Sequence, residues 1–222
     1  MSPVVVKLGG SHADAPALRA AWLAAIAAAN GPVVLVPGGG PFADAVRAQQ
    51  GPLGYDDATA HDMALLAMGQ HGLALAARPG FVAAATPSRI AHALAAGRVP
   101  VWLPSAMLAR ARDVAKGWGV TSDSLALWLA AHLGARAVLL VKRDAASPGL
   151  DEAFDGFHAR FDGEVRVAGP EHLPRRLDTA ALPGALLSAP PSAAARRAER
   201  GGARTSAPGA QASTCSVPAA AG

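Results

Sequence analysis

The sequence predicts an α/β fold in three layers, a mainly parallel central sheet with helices on both faces. Three observations predict it. Short runs of β-branched and aliphatic residues alternate with longer helical stretches over residues 4–141. The short runs are apolar throughout rather than alternating, as in strands covered on both sides. Glycine and proline punctuate their ends, at Gly9-Gly10, Pro37-Gly38 and Pro104.

The elements follow in order. Residues 4–8 form a strand that stops at Gly9-Gly10. Residues 16–29 form a helix, with Asp14 placed to cap it and Asn30-Gly31 to end it. Residues 33–36 form a second strand, and residues 41–50 a helix with Pro41 in its first turn. Residues 56–77 form a long helix rich in Ala, Met and Leu. A strand at 81–85, a helix at 88–96 and a strand at 99–103 come next. Residues 122–133 form a helix with Thr121 or Ser122 as its cap and Asp123 in its first turn, where a carboxylate complements the helix dipole. Residues 137–141 form a strand, and residues 164–167 a further strand near an edge. From residue 190 the chain is Ala, Pro, Ser, Gly and Arg without apolar periodicity, too little to offset the entropy of ordering. The expected organisation is one domain over residues 1–189 and a disordered tail over 190–222.

Composition narrows the function classes. At 222 residues the chain makes one large domain or two small ones, at roughly 100–200 residues per domain. Arg196, Arg197, Arg200 and Arg204 against Glu199 place +3 of the formal +4 charge in the tail. No basic stripe with interleaved aromatics stands elsewhere, so no nucleic-acid partner is expected. The single cysteine, Cys215, allows no disulfide within the chain and no cysteine zinc cluster, and no metal site is expected. Met1-Ser2-Pro3 lacks the basic region of a signal peptide, and the longest helical apolar run, residues 20–29, is short of the roughly 20 residues a bilayer needs. A cytoplasmic protein with no membrane partner is expected.

Four segments carry chemistry. Lys7-Leu8-Gly9-Gly10-Ser11 puts a lysine, two glycines and a serine between a strand and a helix. Such glycines let backbone N–H groups approach an anion, to which the helix start and the lysine add positive charge. Alone, a Gly-Gly turn after a strand is more often only a turn, and no Walker A loop occurs. Pro37-Gly38-Gly39-Gly40-Pro41 repeats the arrangement after the second strand. On a parallel sheet both loops lie at the carboxyl edge, where ligands bind. Three consecutive glycines are entropically costly, which favours close backbone approach to a ligand over a loose connection. Thr121-Ser122-Asp123 opens a helix, and Lys142-Arg143-Asp144-Ala145 ends a strand.

In order and spacing these segments resemble the amino-acid-kinase superfamily, over residues 4–144. That family opens on K-x-G-G-S, here Lys7 to Ser11, and continues with G-G-G-P, here Gly38 to Pro41. Its Asp-bearing segment before a helix of small residues corresponds to Thr121-Ser122-Asp123, and its late K-x-D-G to Lys142-Arg143-Asp144-Ala145, where Ala145 replaces the family glycine. Pro41 to Arg47, Asp56-Asp57, Ala60 to Ala64, Met68, and Trp118 ahead of Asp123 with Trp128 beyond it are similar to a smaller group. These are the aminomethylfuran phosphate kinases of methanofuran and methylofuran biosynthesis, in one-carbon metabolism.

The resemblance implies an amino-acid-kinase, or carbamate-kinase-like, fold and an ATP-dependent phosphotransferase working with Mg2+. It implies a small phosphate or carboxylate acceptor and a homo-oligomer. Lys7, Asp123 and Lys142 would be catalytic; Gly9, Gly10, Ser11, Thr121, Ser122 and Asp144 would hold the nucleotide; Gly38, Gly39, Gly40, Asp57 and His61 would hold the acceptor. The lysines would neutralise charge on the transferring group, and Asp123 would orient them or reach Mg2+ through water. A phosphate acceptor is already anionic and needs no general base. His61 lies four residues after Asp57 on one helix face and would contact the acceptor phosphate, or else form a surface pair or an interface. Met63, Leu66 and Met68 read as core or dimer interface, and His12, just after the first loop, as a solvated histidine in preference to one that faces ATP. His71, His92, His132, His158 and His172 show no ligand spacing. Acetylglutamate or UMP as acceptor, or a non-catalytic nucleotide- or oxyanion-binding protein, are the competing functions.

Overall fold

A computed structural model describes residues 2–188 of the chain. The expectations for residues 190–222 lie outside the described residues. Seven strands form one sheet: β1 Val4–Leu8, β2 Val33–Pro37, β3 Phe81–Ala84, β4 Val99–Trp102, β5 Ala137–Val141, β6 Glu164–Ala168 and β7 Ala185–Leu186. Their order is β3-β4-β2-β1-β5-β6-β7. All pairings are parallel except that of β7 with β6. Seven α-helices connect them: α1 Pro16–Ala27, α2 Gly40–Leu53, α3 Asp57–Ala76, α4 Pro87–Ala95, α5 Ser105–Leu108, α6 Ser122–Leu133 and α7 Phe154–His158.

Alternate residues of the central strands face opposite layers, as the two-residue period of a strand requires. Val5, Val34, Val36, Val138 and Leu140 pack with Leu125 and Leu129 of α6 and Leu65 of α3. Val4, Val6, Leu35 and Leu139 pack on the other face with Trp22, Leu23 and Ile26 of α1. Burial on both faces is why these strands show no alternation in the sequence. The chain leaves β1 toward β2 on one side and returns to β5 on the other. Strand order therefore reverses at β1, and the crevice beyond the carboxyl ends of β1, β2 and β5 is where such sheets bind ligands.

Several boundaries differ from the sequence reading. Asp14 does not cap α1; Gly10–Asp14 wind into a 3-10 turn and Ala15 takes the cap position without a side-chain bond. The second helix runs on to Leu53 and ends at Gly54, in the left-handed conformation that glycine adopts freely. Asp56 stands just outside α3 and caps it, its side chain accepting from Thr59 N at 2.7 Å. The strand expected near an edge at 164–167 is there, one residue longer and one place in, with β7 outside it. α5, α7 and β7 are too short to display a period, so no sequence pattern announces them.

Candidate active site

Lys7 is in β1, paired with Val36 of β2 and Leu140 of β5, one residue before the strand ends. Lys142 follows β5, its backbone N–H donating to Ala168 O at 2.9 Å. Parallel register thus carries two lysines, 135 positions apart in sequence by their numbers, to one edge. α6 packs on β1 and starts at that edge, which sets Asp123 between them.

The three side chains form a buried ionic cluster. Lys142 Nζ donates to Asp123 Oδ2 at 2.6 Å, and Lys7 Nζ stands 2.8 Å from Oδ1 in an ion contact without hydrogen-bond alignment. All three residues are at least nine-tenths buried. Burial alone would raise the Asp123 carboxyl, but the charges of Lys7 and Lys142 overcome it and hold the group below the usual carboxylate range. Burial, and then the Lys7 charge, push the Lys142 ammonium down against the pull of Asp123. Two ammonium groups against one carboxylate leave an excess positive charge at the crevice. A buried charge of this kind is expensive unless an anion compensates it.

The two glycine loops lie against each other. A Cβ on Gly10 would collide with the Gly40 backbone, and one on Gly38 with the Gly10 backbone. Glycine at these positions therefore answers first to the contact between the loops, not to a ligand as the sequence suggested. Gly9 N donates to Val141 O at 3.3 Å and Gly38 N to Leu8 O at 2.9 Å, so both N–H groups are committed to the sheet edge. Gly10, Gly39 and Gly40 keep N–H groups with no backbone acceptor among the described residues. His71 of α3 supports this loop from below, its Nδ1 2.6 Å from Gly38 O. The sequence assigned His71 nothing, since a histidine inside a helix carries no mark of a contact 33 residues away.

The start of α6 is held by a residue that sequence reasoning missed. Thr121 occupies the cap position, but neither Thr121 nor Ser122 caps with its side chain. Asp151 does so from beyond β5: its Oδ2 accepts from Thr121 N at 3.0 Å, Thr121 Oγ1 at 2.8 Å and Ser124 N at 3.0 Å. Ser124 Oγ also donates to Asp151 Oδ1.

Two cavities open at this edge and share Gly10, Ser11 and Thr121 as a wall. The first, about 330 Å³, is bounded by Gly39 and Gly40, by apolar Leu65 and Met68, and by His61 and Ser122. Arg47 and Trp118 stand at it together, the guanidinium 4.3 Å from the ring centroid. Trp118 Nε1 donates to Gln50 Oε1 at 2.7 Å, and Gln50 Nε2 to Asp57 Oδ1 at 2.7 Å. The second, about 380 Å³, contains the Lys7–Asp123–Lys142 cluster and Gly9, with Asp144 and Gly149 opposite.

His61 is buried at the first cavity with Nδ1 3.2 Å from Gly117 O. Asp57 is exposed, lines neither cavity and serves Gln50. Asp144 Oδ1 accepts from Ala146 N at 2.9 Å and Ser147 N at 3.2 Å, which shapes the turn after Lys142. No described residue other than glycine has a positive φ, so Ala145 fits this turn without backbone strain. Met68 is buried, Leu66 exposed, and Met63 packs in a small cluster with Val46 and Ala60. His12 is not solvated but fully buried, Nδ1 3.2 Å from Gly9 O. Burial pushes its pKa down to about 4, so it offers no charge near neutrality. Among the described residues no group of three or more His, Cys, Asp or Glu could hold a metal ion, and no helix is long and apolar enough to cross a membrane.

The chain is similar to known proteins in sequence and in fold. The model of the amino acid kinase family matches residues 2–145. The [5-(aminomethyl)furan-3-yl]methyl phosphate kinase of Methanocaldococcus jannaschii is 30% identical over 160 residues, covering 72% of this chain and 69% of the relative. The uridylate kinase of Archaeoglobus fulgidus shares the fold with a TM-score of 0.56 at 15% identity, over 77% of this chain and 92% of its own. The aspartate kinase of Synechocystis matches with a TM-score of 0.56 at 16% identity, over 86% of this chain and 40% of its own.

Proposed function

The chain belongs to the amino acid kinase family, and on that premise we propose that it uses ATP to convert (5-(aminomethyl)furan-3-yl)methyl phosphate to its diphosphate. That the chain is a phosphotransferase follows from the family and its kinase relatives. The acceptor is our own reading, supported by the 30% identical relative and by the first cavity. Its apolar wall of Leu65 and Met68 suits a furan-sized ring, and Arg47 is a cation for the acceptor's anion.

The observation that carries the mechanism is the buried Lys7–Asp123–Lys142 cluster beside the wall shared by the two cavities. We assign the nucleotide to the second cavity and the acceptor to the first. An acceptor phosphate oxygen attacks the γ-phosphorus, the bond to the β–γ bridging oxygen breaks, and ADP leaves with that electron pair. The nucleophile is an anion at pH 7, so no side chain has to remove a proton. Lys7 and Lys142 neutralise charge on the oxygens in transit, and Gly10, Gly39 and Gly40 direct N–H groups at them. Both Asp123 oxygens face lysines, which favours orienting the two ammonium groups over binding Mg2+. Mg2+ would enter on the nucleotide phosphates, as it commonly does where a protein supplies few ligands. Thr121, Ser11 and Asp144 shape the nucleotide side, whereas Ser122, expected there from the sequence, lines only the acceptor cavity. His61 stands at the acceptor, and Asp57 acts on it only through Gln50 and Trp118. We place the enzyme in the cytoplasm as a homo-oligomer whose catalytic domain is residues 1–189.

ADP release by purified protein, measured with the furan phosphate, UMP and acetylglutamate in turn, tests the acceptor. The furan phosphate should be turned over and the other two barely at all. A preference for UMP or acetylglutamate would replace the acceptor and leave the phosphotransferase standing.

A further inference from the structure

We propose that Asp151 is a positioning residue, which ties the first turn of α6, and with it Asp123, to the wall of the nucleotide cavity. One carboxylate takes bonds from the backbone and the hydroxyl of both Thr121 and Ser124. A helix start leaves its first N–H groups without intrahelical partners, and here a side chain 27 to 30 residues away takes two of them, on Thr121 and Ser124. Between the two bonded residues lies Asp123, whose oxygens must meet two lysines at 2.6 and 2.8 Å.

Asp151 also ends the segment that walls the second cavity, where Asp144, Ser147 and Gly149 face Lys7 and Lys142. That segment is also closed on itself, since Lys142 Nζ donates to Gly149 O at 3.4 Å. A nucleotide pressing on this wall would act on α6 through Asp151. The charge of Asp151 further supports the Lys142 ammonium against burial and against Lys7. A cap with a structural duty alone would hold the helix but would leave the chemistry of the lysines unchanged.

This assignment rests on the role proposed above for Asp123, so Asp123→Asn is measured beside Asp151→Ala, Asp151→Asn and Ser124→Ala. ADP release is followed with whichever of the furan phosphate, UMP or acetylglutamate the wild type turns over, with folding checked by circular dichroism. Asp151→Ala should lower kcat by about 10–100-fold, as losing an orienting partner typically does, with less than about threefold change in the KM for ATP. Asp151→Asn should fall between Ala and wild type, and both should move the alkaline limb of kcat/KM to lower pH. Ser124→Ala removes one bond and no charge; it should lower kcat less and leave that limb in place. If Asp151→Ala does not fold, the Asn and Ser124 variants decide the matter. Wild-type kcat and an unmoved limb in Asp151→Asn, beside a slow Asp123→Asn, would overturn the role of Asp151 alone. A fast Asp123→Asn would overturn both.

Discussion

Lys142 Nζ reaches Asp123 Oδ2 at 2.6 Å from the opposite side to Lys7, so a carboxylate from a helix start separates two ammonium groups from strand ends. The cluster keeps like charges in place at the crevice without letting either settle fully, and that residual charge is what a transferring phosphoryl group can use.

Replacing either lysine should slow transfer more than it weakens binding. Lys7→Ala or Lys142→Ala should cost roughly 10²–10³ in kcat, the scale of a lost oxyanion donor. ATP affinity by calorimetry should change much less, since each contact strengthens mainly in the transition state. Asp123→Asn should be slow and less stable, because breaking a buried pair leaves charge uncompensated, at a cost of up to about 3–5 kcal/mol. Three folded variants with wild-type turnover would remove these residues from the mechanism.

The cluster fixes a pH dependence. Asp123 is held below its unfolded value, so its stabilisation is complete above about pH 4 and disappears as pH falls through the folded pKa. The difference in thermal midpoint between wild type and Asp123→Asn should therefore shrink in acid. Lys142 is also lowered, so folding disfavours its charged form, and that penalty is relieved as pH rises from the folded pKa toward about 10.4. Activity needs the charged form. The alkaline limb of kcat/KM should consequently lie below the ordinary lysine range, and a limb at or above it would contradict the assignment of Lys142.

The glycine loops should tolerate no side chain where they touch. Gly10→Ala and Gly38→Ala each place a Cβ inside facing backbone, and should lower both the thermal midpoint and turnover. Gly51 in α2 has open space around it, so Gly51→Ala should stabilise by about 0.5–1 kcal/mol with normal activity. Equal behaviour of the three variants would refute the packing account.

Arg47 and Trp118 should report on the acceptor alone. Arg47→Ala and Trp118→Leu should raise the acceptor KM severalfold and leave nucleotide binding as it was, since both residues line only the first cavity. A matching loss of ATP affinity would mean that the two cavities have been assigned the wrong way round.

Removing residues 190–222 should leave turnover and thermal midpoint nearly unchanged, as a segment without apolar periodicity contributes little burial. Insoluble expression of residues 1–189 would show the opposite.

Strand and helix alternation, continuous apolar runs and glycine punctuation were enough to read the layers and six of the strands from the sequence, because backbone period and two-sided burial leave a local mark. The lysines, glycine loops and Asp123 were legible for a related reason: each ends or begins an element, and a parallel sheet sends those ends to one edge. Nothing local marked Asp151, His71, or the stacking of Arg47 on Trp118. Their partners lie 30, 33 and 71 positions away by residue number, in segments whose sequences carry no period that points to one another. His12 is buried and not solvated because burial beneath a loop depends on how the loop winds, here a 3-10 turn, and not on the residue's neighbours in sequence. Sequence determined which groups reach the crevice, since that depends on element order and register; only the tertiary fold decided which of them touch, since contact depends on the close packing of segments far apart in the chain.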